Sequence, residues 1–381
     1  MKLLHLANWN STNIGNGALV FGTERVLRED IEADMQFTPE PWDEYVIENT
    51  PGPRAFDERF VDLVNAHDGL LVGGAVTFNG RAPLNEAGMR FNLPLSLWPQ
   101  IKKPVIFYGN SYRFWPGQTY HNLEKLRETL QYIVETPTIF FGVRNDGTKQ
   151  FLESLLDMQS DKIVEVPDPG MYVPAEDHDY PELSPSKKNV LISLNNEDEE
   201  GRFPDAQKKQ RFVQAMANTM EQLATEFDIQ FILCPHYFDD YKIMSELIDV
   251  LPPKIVHQST ISTGLLPVSQ APYFYGRYAK ADLALSMRIH SLSPSIGLGI
   301  PVVPLVSQTR VSDFLKEIGL HDLAVDVFEE SIEEDLYTKT RYALENRSTI
   351  ATKVQQAATL SRERTKEVNQ TIQTLLSPSS S

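Results

Sequence analysis

Cys234 is the single cysteine in 381 residues, which excludes an internal disulfide framework and any zinc or iron–sulfur site built from several thiolates. Cations are scarce relative to acids. The 35 Lys and Arg face 52 Asp and Glu, a formal charge of -17 that repels phosphate backbones and anionic lipid surfaces at long range. Nucleic acid is therefore not expected as a partner. An anionic small substrate is not excluded, because salt screens the global field within about 8–10 Å and a few arginines in a closed pocket act locally. No apolar run approaches the roughly 20 residues of a membrane span. The apolar segment within Met1–Ala7 is too short for a signal peptide, so a cytoplasmic protein without a membrane span is expected. Gly15-Asn16-Gly17 does not extend into a Gly-x-Gly-x-x-Gly fingerprint and no P-loop occurs, so neither a dinucleotide nor ATP is indicated as a cofactor.

What the chain does have is apolar residue in quantity, 41%, at a length beyond one compact core, so two domains are expected. Short apolar runs alternate with helical periodicity throughout. Lys2–Ala7 reads as a buried first strand, Asn8–Gly17 as a polar loop, and 18–28 as a helix. Further strands are expected at Asp68–Val72, running into Gly73-Gly74, and at Pro104–Tyr108 and Thr138–Val143. Asp146 is a fair N-cap for a helix over Gly147–Leu156. The Pro- and acid-rich segment Pro174–Lys188 looks like a linker. Beyond it the alternation restarts with a strand at Asn189–Leu194, a helix at Asp205–Phe227 and a strand at Ile229–Cys234. These expectations give an N-terminal Rossmann-like domain over 1–180 and a C-terminal one over 181–345. The last stretch, 346–381, is expected to be a helix packing back on the first domain, with a frayed Ser-Pro-Ser-Ser-Ser tail. Two doubly wound α/β domains facing across a cleft resemble the GT-B architecture, an analogy of fold alone.

One stretch gathers chemistry. Ala281–Leu285 and Pro301–Val306 read as buried strands flanking a helix of small residues at Ser291–Leu298, and the chain's only Arg-x-His, Arg288-Ile289-His290, sits between the first strand and the helix. In such βαβ units ligands bind beyond the carboxyl ends of the strands, where the helix N-terminus also offers unpaired N–H groups. A guanidinium, an imidazole and a helix N-terminus converging there suit an anion-binding catalytic centre. Packing alone is the competing reading.

Five short motifs in order resemble the polysaccharide pyruvyl transferase family: Asn13-Ile-Gly-Asn-Gly-Ala-Leu19, Asp68-Gly-Leu-Leu-Val-Gly-Gly74, Gly142-Val-Arg-Asn-Asp146, Val166-Pro-Asp-Pro169, and Arg288-Ile-His290 with Gly299-Ile-Pro301. The resemblance implies a GT-B-like fold. It also implies transfer of a pyruvyl group from phosphoenolpyruvate, as co-substrate rather than cofactor, onto two hydroxyls of a sugar, oligosaccharide or lipid-linked glycan. The product would be a cyclic ketal in polysaccharide biosynthesis, formed with phosphate release and without metal. It assigns donor binding and catalysis to Arg288 and His290, with Ile289 and Ser291 beside them. Relatives often carry an arginine in a Ser-x-Arg context after the first strand of the second domain, where this chain reads Ser193-Leu-Asn-Asn196. Arg202 is the residue expected to supply that charge.

The chemistry fits those residue types: arginine pairs bidentately with carboxylate or phosphate, and histidine moves protons near neutral pH. Candidates for the acceptor side or the cleft are Asn13, Asn16, Gly73, Gly74, Arg144, Asp168 and His236. Each has a plainer alternative. Gly73-Gly74 suits a tight turn, Arg144 either an anion or a partner in Asp146, Asp168 a sugar hydroxyl or an Asx turn, and His236 a structural role. Tyr112, Phe114, Trp115 and Tyr120, with Asn110 and Arg113, make either a stacking platform for a sugar or a hydrophobic cover. Two other functions stay open: a nucleotide-sugar glycosyltransferase of the same architecture, and a non-catalytic sugar- or anion-binding relative.

Overall fold

The computed structural model of the chain describes residues 1–47, 50–80, 85–115, 117–263 and 266–377. Residues 378–381, most of the tail expected to fray, lie outside the described residues. The chain forms two compact α/β units. Unit 1 comprises Met1–Ser11, Gly22–Pro169 and Arg362–Ser381, and unit 2 comprises Thr12–Phe21 and Gly170–Ser361.

Among the described residues, unit 1 is built on a seven-stranded sheet. Its strands are β1 (Lys2–Ala7), β2 (Gln36–Pro41), β5 (Gly69–Val72), β6 (Val76–Asn79), β7 (Val105–Arg113), β8 (Ile139–Arg144) and β9 (Ile163–Val166). The order is β2-β1-β5-β7-β8-β9, with β6 also on β7, and every pair is parallel. A small antiparallel hairpin, β3 (Val46–Ile47) and β4 (Thr50–Pro51), follows β2. Helices α1 (Ile14–Asp30), α2 (Glu58–Asn65), α3 (Leu123–Glu135) and α4 (Thr148–Leu156) complete the crossovers. Asp57 caps α2 through the N–H groups of Arg59 and Phe60, as an Asx side chain does best. The core is aromatic: Trp42, Phe56, Phe60, Phe91, Trp98 and Phe107 contact one another at tilted or edge-on angles, except that Trp98 stacks on Phe107. Full burial of a side chain such as Phe91 contributes about 1.5–3 kcal/mol. Tyr112, Trp115 and Tyr120 are buried, and Tyr112 stacks on Phe151 at 4.2 Å. That aromatic set is thus a hydrophobic cover rather than an open platform.

Among the described residues, unit 2 is built on a six-stranded parallel sheet of β10 (Lys188–Ser193), β11 (Ile229–Leu233), β12 (Ser259–Ile261), β13 (Leu283–Ser286), β14 (Val302–Val306) and β15 (Val325–Asp326). The order is β12-β11-β10-β13-β14-β15. Its helices are α5 (Glu199–Arg202), α6 (Ala206–Glu226), α7 (Asp240–Val250), α8 (Pro253–Val256), α9 (Ala271–Ala279), α10 (Ile289–Gly297), α11 (Thr309–Glu317), α12 (Ile332–Glu345) and the first half of α13 (Arg347–Leu376). Cys234 lies in this core, where burial above all pushes its thiol up to about 12. Among the described residues no helix is long and apolar enough to cross a membrane.

Three expected boundaries move. The division falls at Pro169/Gly170 rather than 180, because the segment read as a linker is bound into unit 2. There Tyr180 donates to Glu176 O and Tyr273 O, each at 2.9 Å, and Arg277 pairs with Glu182 at 3.0 Å. Glycine makes this seat possible: a Cβ at Gly276 would meet Glu176 O at 1.9 Å and one at Gly297 would meet Met171 O at 1.8 Å. The last helix does not begin a separate block at 346. Its residues to Ser361 belong to unit 2, and those from Arg362 belong to unit 1, held by Arg362 on Asp30 and by Tyr108 Oη on Asn369. Finally, the glycine-rich segment read as a loop to Gly17 is helical from Ile14 and belongs to unit 2.

Candidate active site

In an open α/β sheet the ligand crevice opens where the strand order reverses. In unit 2 that point lies between β10 and β13, which pair through Ser193 and Ser286 at their carboxyl ends. The loops leaving those strands carry Glu197 and Arg202 on one side and Arg288 and His290 on the other.

Arg288 is the N-cap of α10 and only 6% exposed. Its Nε and Nη2 donate to Asp240 Oδ2 and Oδ1 at 2.9 and 2.6 Å, and Nη1 donates to Glu197 Oε2 at 3.0 Å. Burial alone would make this guanidinium easier to deprotonate, but the two carboxylates outweigh it and raise its pKa further. Asp240, wholly buried, also accepts the backbone N–H groups of His236, Tyr237 and Asn196. One carboxylate thus ties together the loops after β10, β11 and β13. Arg202 joins the same cluster. Its Nε donates to Glu197 O at 3.2 Å and its Nη1 to Ser307 Oγ at 2.8 Å, just beyond β14. Two guanidinium groups and two carboxylates balance in formal charge, so the N–H groups of the first turn of α10 tip the field toward anions.

His290 occupies the first turn of α10 and is partly exposed, while its carbonyl accepts from Tyr275 Oη at 2.6 Å. A Cβ at Gly15 would sit 2.6 Å from His290 Cβ and 2.8 Å from its Nδ1. The first turn of α1 therefore presses on the imidazole, and Ile14 N donates to His236 O at 3.1 Å. Asn13 and Asn16 enter unit 2 by this route, and Asn13 Oδ1 accepts from Gly15 N. Ile289 and Ser291 are buried. Ser291 turns its hydroxyl inward, to Ser286 Oγ at 2.6 Å and Tyr278 Oη at 3.1 Å, while Ile289 packs in the core.

His236 is fully buried with its Nε2 on Tyr278 Oη at 2.8 Å. Burial first, then the charges of Arg288 and Arg277, hold its pKa well below the usual 6.5. The unfolded chain takes up this proton more readily, so the contribution of His236 to stability is complete above about pH 6.5 and is lost as pH falls below it. Urea unfolding is expected to show stability falling from about pH 7.5 to 5.5, by at most about 1.4 kcal/mol per pH unit from this group. His236→Gln should flatten that dependence, and an unchanged slope would assign it elsewhere.

The remaining sequence candidates lie in unit 1 as a separate group. Arg144 Nε lies 3.2 Å from Asp168 Oδ2, both buried, so Arg144 pairs with Asp168. Asp146 instead accepts from Ser111 Oγ at 2.6 Å and from Thr148 Oγ1, and Gly147 in the left-handed region stands at the N-cap of α4. Asp168 N donates to Asn145 Oδ1. Gly73 leaves room for His5, whose Nε2 would lie 2.6 Å from a Cβ there, and Gly74 faces Arg144 Nη2 at 3.4 Å from its own.

The polysaccharide pyruvyl transferase family matches residues 13–309, a span that includes Arg202, Asp240, Arg288 and His290. The chain belongs to this family. No curated protein matches the chain in sequence. Solved structures resemble it in fold at low identity. UDP-GlcNAc 2-epimerase from Neisseria meningitidis, bound to UDP-GlcNAc, has a TM-score of 0.53 and 13% identity over 98% of this chain and 99% of its own. MnaA of S. aureus, in a co-structure with UDP, has 0.54 and 11% over 95% and 94%. ADP-heptose lps heptosyltransferase II of E. coli has 0.50 and 12% over 91% and 100%. These likenesses show the fold, two Rossmann-like units of GT-B type. Within this transferase family member, Asp240 and Glu197 are the residues that sequence reasoning passed over. The available signal was a carboxylate opening the helix just after Cys234-Pro-His-Tyr, beyond the end of β11.

Proposed function

We propose that the chain moves the pyruvyl group of phosphoenolpyruvate onto two hydroxyls of a sugar or glycan as a cyclic ketal, releasing phosphate. What supports this reading is the placement of Arg202, Arg288 and His290 on the segments that leave β10 and β13 at the strand-order reversal of unit 2, in a chain of this family. Arg288 and Arg202 hold the donor's carboxylate and phosphate. His290 gives a proton to C3 as C2 becomes an oxocarbenium-like centre. One sugar hydroxyl adds to C2, the C2–O bond to phosphate breaks, and the second hydroxyl closes the ring; of the two hydroxyl protons, one restores His290 and the other leaves with phosphate. Glu197 holds the outer edge of Arg288 and is the partner that a donor anion displaces.

Incubation with phosphoenolpyruvate and a panel of saccharides should release inorganic phosphate and give a ketal carbon detectable by NMR. Nucleotide release from a nucleotide-sugar, with none of phosphate from phosphoenolpyruvate, would overturn the reading. Two neighbouring substitutions should act with opposite sign on donor affinity. Arg202→Ala removes a charge-assisted hydrogen bond worth about 1.5–3 kcal/mol and should weaken phosphoenolpyruvate binding by about 10–100-fold, whereas Glu197→Gln removes a competitor and should tighten it a few-fold. Calorimetric titration checks both, and shifts of the same sign would remove the displacement step.

A further inference from the structure

A cavity of about 660 Å³ opens in unit 1, lined by none of the residues that the sequence singled out, with Tyr45, Arg54, Phe56, Arg90, Asn92 and Leu97 among its walls. Its volume lies within the roughly 300–1,000 Å³ typical of small-molecule sites. Trp42, on which Arg90 lies at 5.6 Å, follows directly on the carboxyl end of β2, and Arg90 N donates to Thr77 O of β6. The cavity therefore borders the strand ends where α/β sheets take ligands. One wall is held rigid. Asn92 Oδ1 accepts from Glu86 N and Ala87 N, and Asn85 Oδ1 accepts from Gly88 N. Gly88 itself has φ +69°, and a Cβ there would meet Leu126 N at 2.3 Å, so only glycine closes this turn.

Arg90 is the anomaly in that wall. Its Nη1 donates to Val76 O at 3.1 Å, its Nε is shielded from solvent without an acceptor, and among the described residues no carboxylate lies within ion-pair distance of it. Burial first, then the like charge of Arg113, lower its pKa to about 10 against the pull of Asp43. A shielded guanidinium with no carboxylate at ion-pair distance, and only the pull of Asp43 from farther off, gains from an anion brought to it. Arg54 also lines the cavity, where it pairs with Glu40 at 2.7 Å and Glu44 at 3.5 Å; Asp57 is engaged in capping α2, and Glu58 and Glu86 are exposed, so water and salt weaken their opposition.

We infer that this cavity is an acceptor subsite that takes a phosphate or carboxylate borne on the saccharide; the word acceptor rests on the pyruvyl-transfer reading, and the binding does not. Titration of the full chain with galactose 1-phosphate, glucuronate, galactose and inorganic phosphate tests it. Both charged sugars should bind at least about tenfold more tightly than galactose, in keeping with a charge-assisted pair. Arg90→Ala should remove that advantage while leaving galactose unchanged. Should Arg90→Ala lose its fold by circular dichroism, Arg54→Ala, at an exposed side chain, should still reduce charged-sugar affinity several-fold. Equal affinity for galactose and galactose 1-phosphate, or charged-sugar binding indifferent to both substitutions, overturns the site. Inorganic phosphate binding as tightly as galactose 1-phosphate overturns its saccharide part. Phosphoenolpyruvate titrated into wild type and Arg288→Ala reports on the donor reading separately.

Discussion

Asp240→Asn is expected to weaken phosphoenolpyruvate binding by at least about tenfold and to lower stability by about 3–5 kcal/mol, the usual result of leaving a buried charge without its partner. The amide can accept only at one end, so either Arg288 Nε or Nη2 faces an N–H group, and the fork that aims the guanidinium is lost. The backbone N–H groups of His236 and Tyr237 compete for the same oxygen. Urea unfolding with donor titration measures both quantities. Asp240→Glu, which keeps the charge and moves it, should recover part of the stability and less of the affinity. A variant that unfolds and binds as wild type does would make Asp240 a bystander.

His290→Asn should keep donor affinity and lose turnover by about 10²-fold or more, the scale of general acid–base catalysis. Asparagine keeps polarity and approximate size without a titratable proton. Phosphate release at saturating phosphoenolpyruvate, set beside its binding constant, separates the two quantities. Turnover near wild type would take His290 out of the mechanism. Gly15→Ala offers an independent approach, since its Cβ would intrude on the imidazole from α1 without changing any polar group.

The centre of unit 2 was readable because it obeys local rules. Leu283–Ser286 and Val302–Val306 are short apolar runs, the second entered through Gly299-Ile-Pro301, the pattern of fully buried parallel strands, and they place Arg288 and His290 at a strand end. What escaped is tertiary. Asp240 and Glu197 reach Arg288 from distant stretches of chain, and no spacing rule joins them. The Asn13–Gly17 segment looked like a loop because glycine disfavours helix, yet close packing against His290 and Ala271 needs those absent side chains and outweighs propensity. β2 went unread for the opposite reason: Pro39 and Pro41 argue against a central strand, and β2 is indeed an edge strand, where proline is tolerated. The 85–92 turn and its cavity depend on side chains capping backbone groups, which has no periodic signature.

The buried row His236–Tyr278–Ser291–Ser286 has a direction as well as a composition. Each hydroxyl has one proton to give, so the row polarises one way or the other as a whole. His236 Nδ1 is buried without a partner, and an orphaned donor there is less tolerable than an orphaned lone pair. The proton therefore resides on Nε2, which donates to Tyr278. Tyr278 donates to Ser291 and Ser291 to Ser286, and the positive end of this string of O–H dipoles points at the strand end from which Arg288 departs. Reversing it requires every member to turn together, so the hydrogen bonds behind the Arg288 loop form one oriented unit.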